Sequence, residues 1–295
     1  MLSSQLFWSS FWIALNVSVT ILNKACFSIA KFPPVSLTCI HLLFTWFLSI
    51  ITYTFSRKKS PKLGIKHIKL LLFFSILFAL NIAVGNSSLK AISVSLTQTI
   101  RATTPLFVVG LSIFLLKSCF NELTLISLPI LFFGLIITFF GEIQFKLVPS
   151  VFAVFGVFLS ALKTVLSNKF LVGEFKLDPF LLLSILCPFA LIVLGPYSLI
   201  KEQSKLIDFL DNAGVLAWFL VLSSGFFAFF LNFSNFMLNK SAGPLTVTIC
   251  GIVKQILTII LSVLIFQNIV TPLNCTGMFV VIGGVCLYSY AQIPK

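Results

Sequence analysis

Three cations sit well inside long apolar runs: Arg101 within residues 92–117, Lys163 within 148–172 and Lys254 within 242–266. If those runs cross a bilayer, each charge costs about 2.5–3.5 kcal/mol to insert, and the three together on the order of 8–10 kcal/mol. Water or a counter-ion has to relieve that cost, and the acids of the chain are badly placed to do so. Glu122, Glu142, Glu174, Asp178, Glu202, Asp208 and Asp211 all fall in loops or at the edges of runs. The pattern points to a water-filled cavity that takes an anion from outside. Lysine offers a point charge and arginine a planar fork, so a phosphate group is the natural visitor.

Helical spacing gathers further polar residues onto shared faces. Thr97 and Arg101 are one turn apart, as are Asn16, Thr20 and Lys24 in succession. Ser160, Lys163 and Ser167 form another stripe, as do Asn232, Asn235 and Asn239, and then Thr246, Cys250 and Lys254. Each stripe also has a plainer reading, because Ser, Thr and Asn join membrane helices by hydrogen bonds. That reading fits Ser160 and Ser167 best. Lys24 and Lys169 lie near run ends, where a lysine can snorkel to the interface instead of lining a cavity. Gly251, a turn before Lys254, lets a ligand or a neighbouring backbone come close, whereas Gly134 and the Gly283-Gly284 pair suit close helix packing.

The elements that must carry these residues follow from composition. The chain has 295 residues, 59% hydrophobic and only 9% charged, with a mean hydropathy of +1.12. A soluble domain carries about 25% charged residues, so this chain cannot wet a globular surface and reads as a polytopic membrane protein. A spanning helix needs roughly 20 mostly apolar residues. Runs of that kind fall at 5–29, 34–56, 68–89, 92–117, 122–140, 148–172, 179–200, 213–239, 242–266 and 271–290. They are unbroken, unlike the short alternating segments of a membrane β-barrel, so the fold class is all-α with ten transmembrane helices. The 35 Phe residues suit surfaces that face lipid.

Charge sets the orientation. Arg57, Lys58, Lys59, Lys62, Lys66 and Lys69 crowd one connector, which the positive-inside rule assigns to the cytosol. Lys117, Lys176, Lys240 and Lys295 then share that side, which holds ten basic residues against five opposite, so both termini are cytosolic. The net charge of +13 is therefore a matter of topology and of contact with anionic lipid, not of nucleic-acid binding. The first run lacks the basic flank and cleavage pattern of a signal peptide and does not resemble a transit peptide. The seven cysteines are scattered singly, which gives neither a disulfide framework nor a zinc site. They suit small packing positions, and no cofactor is expected.

The chain also resembles itself. Asn23-Lys24, Lys31 and Pro34 recur half a chain later as Asn168-Lys169, Lys176 and Pro179. Leu96-Thr97-x-Thr99-Ile100 recurs as Leu245-Thr246-x-Thr248-Ile249, and Asn86, Leu89 and Gly134 align with Asn235, Leu238 and Gly283. A boundary near 147 gives repeats 1–147 and 148–295 within one membrane domain. With five spans each, the second repeat is inverted relative to the first, a build common in secondary transporters. No acid lies inside a run, and His41 and His67 stand near run ends, so exchange of one anion for another is favoured over proton coupling. No nucleophile–base pair, carboxylate pair or metal-ligand set suggests an enzyme. A homodimer is compatible with this sequence, which does not fix the oligomeric state.

Taken in order, these residues resemble the nucleotide-sugar and triose-phosphate transporter family of the drug/metabolite transporter superfamily. The likeness is carried by Asn16-Val17 with Leu22-Asn23-Lys24, Phe32-Pro33, Leu37-Thr38 and His41, then by Gly85-Asn86-x-Ser88-Leu89. It continues through Val94-Ser95-x-Thr97-Gln98-Thr99-Ile100-Arg101-Ala102-Thr103-Thr104-Pro105, Gly141-Glu142 and Ala161-Leu162-Lys163, to Leu245-Thr246 with Gly251-x-x-Lys254 and Gly284-Val285-x-Leu287-Tyr288-Ser289. The resemblance implies an antiporter that exchanges a nucleotide sugar or phosphorylated sugar for a nucleoside monophosphate or phosphate. It implies that Lys254, Gln98 and Arg101 line the substrate cavity, with Lys163 and Lys169 from the sixth span and Lys24 from the first. Asn232 and Asn235 are expected to hydrogen-bond the sugar or base. Plastid triose-phosphate members carry a Lys-Arg pair where this chain has Lys254-Gln255, and His where it has Gln98. These departures favour the nucleotide-sugar branch and a Golgi or endoplasmic-reticulum membrane. The alternatives are a plastid-type sugar-phosphate/phosphate translocator and an exporter of neutral metabolites.

Overall fold

The computed structural model describes residues 2–56, 64–88, 100–101, 103–141, 147–173, 175–266 and 271–291, and every regular element among them is helical. The helices are α1 (Leu2–Ser28), α2 (Pro34–Phe55), α3 (Ile65–Ser88), α4 (Thr104–Leu116) and α5 (Glu122–Gly141). There follow α6 (Leu147–Leu171), α7 (Pro179–Lys201), α8 (Gln203–Asn212), α9 (Val215–Phe266) and α10 (Pro272–Ala291). Stretches of α1, α2, α6, α7 and α9 are long and apolar enough to cross a membrane, and α3, α4, α5 and α10 carry shorter apolar stretches. Large apolar side chains stay exposed along them, among them Phe47, Phe114, Phe133 and Phe279. Lipid is the solvent that tolerates such a surface.

Helix bounds follow local chemistry. Within α9 the chain breaks at Gly243, whose φ of 85° and ψ of 168° belong to a region that essentially only glycine occupies. Pro244 follows and cannot donate a helical hydrogen bond, so α9 consists of two limbs, 215–242 and 244–266. This matches the expected junction between residues 239 and 242. Of the expected fourth span, residues 92–99, and Gln98 with them, lie outside the described residues. Ile100 and Arg101 are helical, Thr103 forms a turn, and α4 starts at Thr104.

The starts of α2 and α7 solve one problem in two ways. Both helices open on proline and follow a lysine in the left-handed region, Lys31 (φ 54°) and Lys176 (φ 45°). For α7, Asp178 caps its own helix, its Oδ1 accepting from the Phe180 N–H at 2.9 Å. For α2, Pro33 occupies the cap position and has no side-chain acceptor to offer. The buried Glu202 serves instead, accepting from the Ser36 N–H at 2.8 Å, the Val35 N–H at 3.2 Å and the Ser36 hydroxyl at 2.7 Å. A carboxylate at a helix N-terminus meets both unpaired N–H groups and the positive end of the helix dipole.

The chain folds as two compact units, each assembled from segments of both sequence halves. Unit 1 comprises residues 1–80 and 167–241, and unit 2 comprises 81–166 and 242–295. In unit 1, α2 packs on α7, and Cys26, Phe32, Leu37, Phe209 and Val221 form a core that α8 closes through Phe209. The connector expected between the runs ending at 200 and starting at 213 is thus helical over most of its length. In unit 2, α5 packs on α10 around Leu131, Ile252, Val281 and Val285. A Cβ on Gly134 would stand 2.7 Å from the Val281 nitrogen, and one on Gly284 would stand 3.0 Å from Leu131 Cδ2. Gly283 has no such neighbour within 4 Å, so the packing glycine of that pair is Gly284.

Candidate functional site

The three buried-run cations come from three different elements of unit 2. Arg101 precedes α4, Lys163 lies on α6 and Lys254 on the second limb of α9. Apolar packing brings these elements together. Ile100, next to Arg101, packs with Ala153 and Val157 of α6. Val108 of α4 joins Ala161 and Val165 of α6, with Leu245 of α9 against them.

Local sequence explains how Arg101 is presented. Pro105 lacks the N–H that would bond the Arg101 carbonyl, so the helical hydrogen-bond pattern is interrupted there. The Thr104 hydroxyl donates to that carbonyl in its place. Thr103 donates to the Ile100 carbonyl through both its N–H and its hydroxyl, the latter at 2.6 Å. The Thr-Thr-Pro sequence thus satisfies an interrupted helix end, a role for Thr103 and Thr104 that the stripes of polar residues did not suggest. The interruption falls within three residues of the guanidinium-bearing position.

The three side chains are each partly enclosed, and Lys254 experiences the positive charge of both Arg101 and Lys163. Among the described residues the Arg101 guanidinium makes no hydrogen bond or ion pair, while Lys163 and Lys254 have further interactions of their own. Like charges gathered in a low-dielectric setting repel strongly, and a multivalent anion is the ligand that turns that repulsion into attraction. No described atom lies within 4 Å of a Cβ built on Gly251, so the face leading to Lys254 is open there.

The other expected site residues belong to unit 1. Lys24 is exposed on α1, and Lys169 is partly buried near the end of α6. Asn232 and Asn235 are partly buried on the first limb of α9, and the Asn232 amide donates to Thr45 Oγ1 of α2 at 3.1 Å. Several other polar residues of unit 1 join helices in this way. Asn239, fully buried, donates to Ser167 Oγ, and Asn168 donates to the Asn239 carbonyl at 3.0 Å. Ser224 Oγ donates to Asn23 Oδ1 at 2.9 Å and lies 2.8 Å from His41 Nε2.

A family model described as the triose-phosphate transporter family matches residues 4–289. The chain belongs to that family. It is 30% identical over 289 residues to UDP-galactose transporter 1 of Arabidopsis thaliana, covering 95% of this chain and 85% of the relative. It is 29% identical over 290 residues to a GDP-mannose transporter of the same plant, covering 95% and 84%. A solved crystal structure superposes with a TM-score of 0.63 at 14% identity, covering 98% of this chain and 97% of the other. That likeness concerns the fold alone. Family membership fits a multi-pass membrane protein, as do the long apolar helices.

Proposed function

We propose that the protein is an antiporter that exchanges a nucleotide sugar or phosphorylated sugar for a nucleoside monophosphate or phosphate across a Golgi or endoplasmic-reticulum membrane. The observation that carries this reading is the meeting of Arg101, Lys163 and Lys254 in one unit of a member of a transporter family. Arg101 offers its fork to two phosphate oxygens, and the lysines add point charges from two other helices. Gln98, three residues before Arg101, is assigned to the same site. The relatives named above transport sugars on two different nucleotides, which supports the phosphate moiety as the shared feature and leaves the base open.

The proposed architecture is ten transmembrane helices in two inverted five-helix repeats, 1–147 and 148–295. Two observations support it. The helix pairs α2 with α7 and α5 with α10 each join elements half a chain apart. The aligned Lys31 and Lys176 also share a left-handed backbone ahead of a proline-started helix. Alternating exposure of the site by rocking of membrane segments is the mechanism such repeats permit.

The family name itself favours a second reading, a sugar-phosphate/phosphate translocator that needs no nucleotide. Counterflow with purified protein in proteoliposomes separates the two. Vesicles loaded with a nucleoside monophosphate should take up the matching nucleotide sugar, and unloaded vesicles should not. Exchange of sugar phosphate for inorganic phosphate alone would establish the second reading. Uptake of neutral solutes, insensitive to competing phosphate esters, would overturn both.

A further inference from the structure

The short helix α8 carries three kinds of surface around its axis. Leu206 and Phe209 pack into the core of unit 1 beside Phe32, whose ring meets that of Phe209 edge-on at 4.7 Å between centroids. The polar residues Ser204, Asp208, Asp211 and Asn212 occupy the opposite side and are exposed. Between them lies a sector with Ile207 at 49% exposure and Leu210 at 61%, on a stripe that the exposed Gln203 opens in the first turn. By helical spacing Ile207 and Leu210 are one turn apart on the same flank.

A helix lying between protein and water has no use for that third sector. A helix at the edge of a membrane bundle has one, because it meets protein on one side, acyl chains on the next and water on the last. Position in the chain supports the lipid assignment. The helix connects α7 to α9, and both carry stretches long and apolar enough to cross a membrane, so α8 stands at a membrane face. Exposed apolar residues also flank it in sequence, Ile200 at 74% on α7 and Val215 at 89% on α9. At its start, Glu202 turns its carboxylate away from α8 and onto the first turn of α2.

We propose that α8 is an interfacial helix, lying along the membrane surface with Ile207 and Leu210 seated at the boundary between headgroups and acyl chains. Through Glu202 it fixes the start of α2 relative to that surface. The inference rests on the membrane reading and not on the identity of the substrate.

The test places a dansyl-bearing amino acid at position 207, 208, 210 or 211 of the full chain, reconstituted in phosphatidylcholine vesicles. Nitroxide-labelled lipid reports contact with the bilayer, and iodide reports contact with water. Seating about 5–10 Å into the boundary should make quenching by shallow nitroxide lipid about threefold stronger at 207 and 210 than at 208 and 211, with iodide giving the reverse order. Equal quenching at all four positions would overturn the proposal, as would iodide access at 207 and 210. Shielding of 207 and 210 from both quenchers would also overturn it, and would indicate that a second copy of the chain covers the helix. Exchange activity does not enter this readout, so failure here leaves the transport reading standing.

Discussion

Both units pair polar groups across their helices, and unit 2 adds three cations from three elements. In unit 1 polar groups are matched to one another: Glu202 to Ser36 and Val35, Asn232 to Thr45, Asn239 to Ser167, Ser224 to Asn23. In unit 2 Arg101 and Lys163 bring their positive charge to bear on Lys254, and the Arg101 guanidinium makes no hydrogen bond or ion pair among the described residues. Matched groups hold helices in register, since a buried polar atom without a partner costs about 1–3 kcal/mol. Gathered like charges do the reverse, and they persist only where a ligand or water repays their repulsion. Side-chain type alone therefore does not separate a joint from a site. The sign and pairing of the charges do.

This contrast predicts different losses. The largest should follow Lys254→Ala. A hydrogen bond to a charged group contributes about 1.5–3 kcal/mol, so exchange in proteoliposomes should fall about ten- to a hundredfold at unchanged folding. Near-normal exchange would break the contrast at its centre. Glu202→Ala should act on stability instead, lowering it by about 3 kcal/mol through the donors left at the start of α2. Thermal unfolding in detergent checks this. Next comes Gly134→Ala, whose Cβ would press on Val281 of α10 at a cost of about 1–3 kcal/mol. Gly283→Ala, with open space around it, should stay within about 0.5 kcal/mol of the parent in the same assay. Equal effects of the two glycine changes would refute the packing assigned to α5 and α10.

Much of this was legible in the chain before any coordinates. Apolar run length placed α1, α2, α5, α6, α7 and α10 within a few residues, because in a bilayer a run must be helical to satisfy its backbone. The break in α9 at Gly243-Pro244 falls within a few residues of the junction expected between 239 and 242. Arg101, Lys163 and Lys254 could be singled out because an ionisable group inside an apolar run is rare and costly. Their gathering in one unit could not, since it depends on packing between segments far apart in sequence. The same holds for Glu202, an apparently ordinary acid at a span edge whose partners lie in α2. Helix α8 was missed because its ten residues mix polar and apolar types and contain no spanning run. Its signal was the spacing of Leu206, Phe209 and Leu210. Along the stripe of Asn16, Thr20 and Lys24 burial changes, Asn16 being buried while Thr20 and Lys24 are exposed.

The central claim is that phosphate esters bind through the cations of unit 2, while the buried Asn239 of unit 1 joins helices. Protection against thermal unfolding by a nucleoside monophosphate, measured side by side on the parent chain, Arg101→Gln and Asn239→Ala, tests it most directly. The account predicts that Asn239→Ala starts from a lower melting temperature yet gains as much from the ligand as the parent does. Arg101→Gln should start near the parent and gain little. Full protection of Arg101→Gln, or its loss in Asn239→Ala alone, would contradict the account.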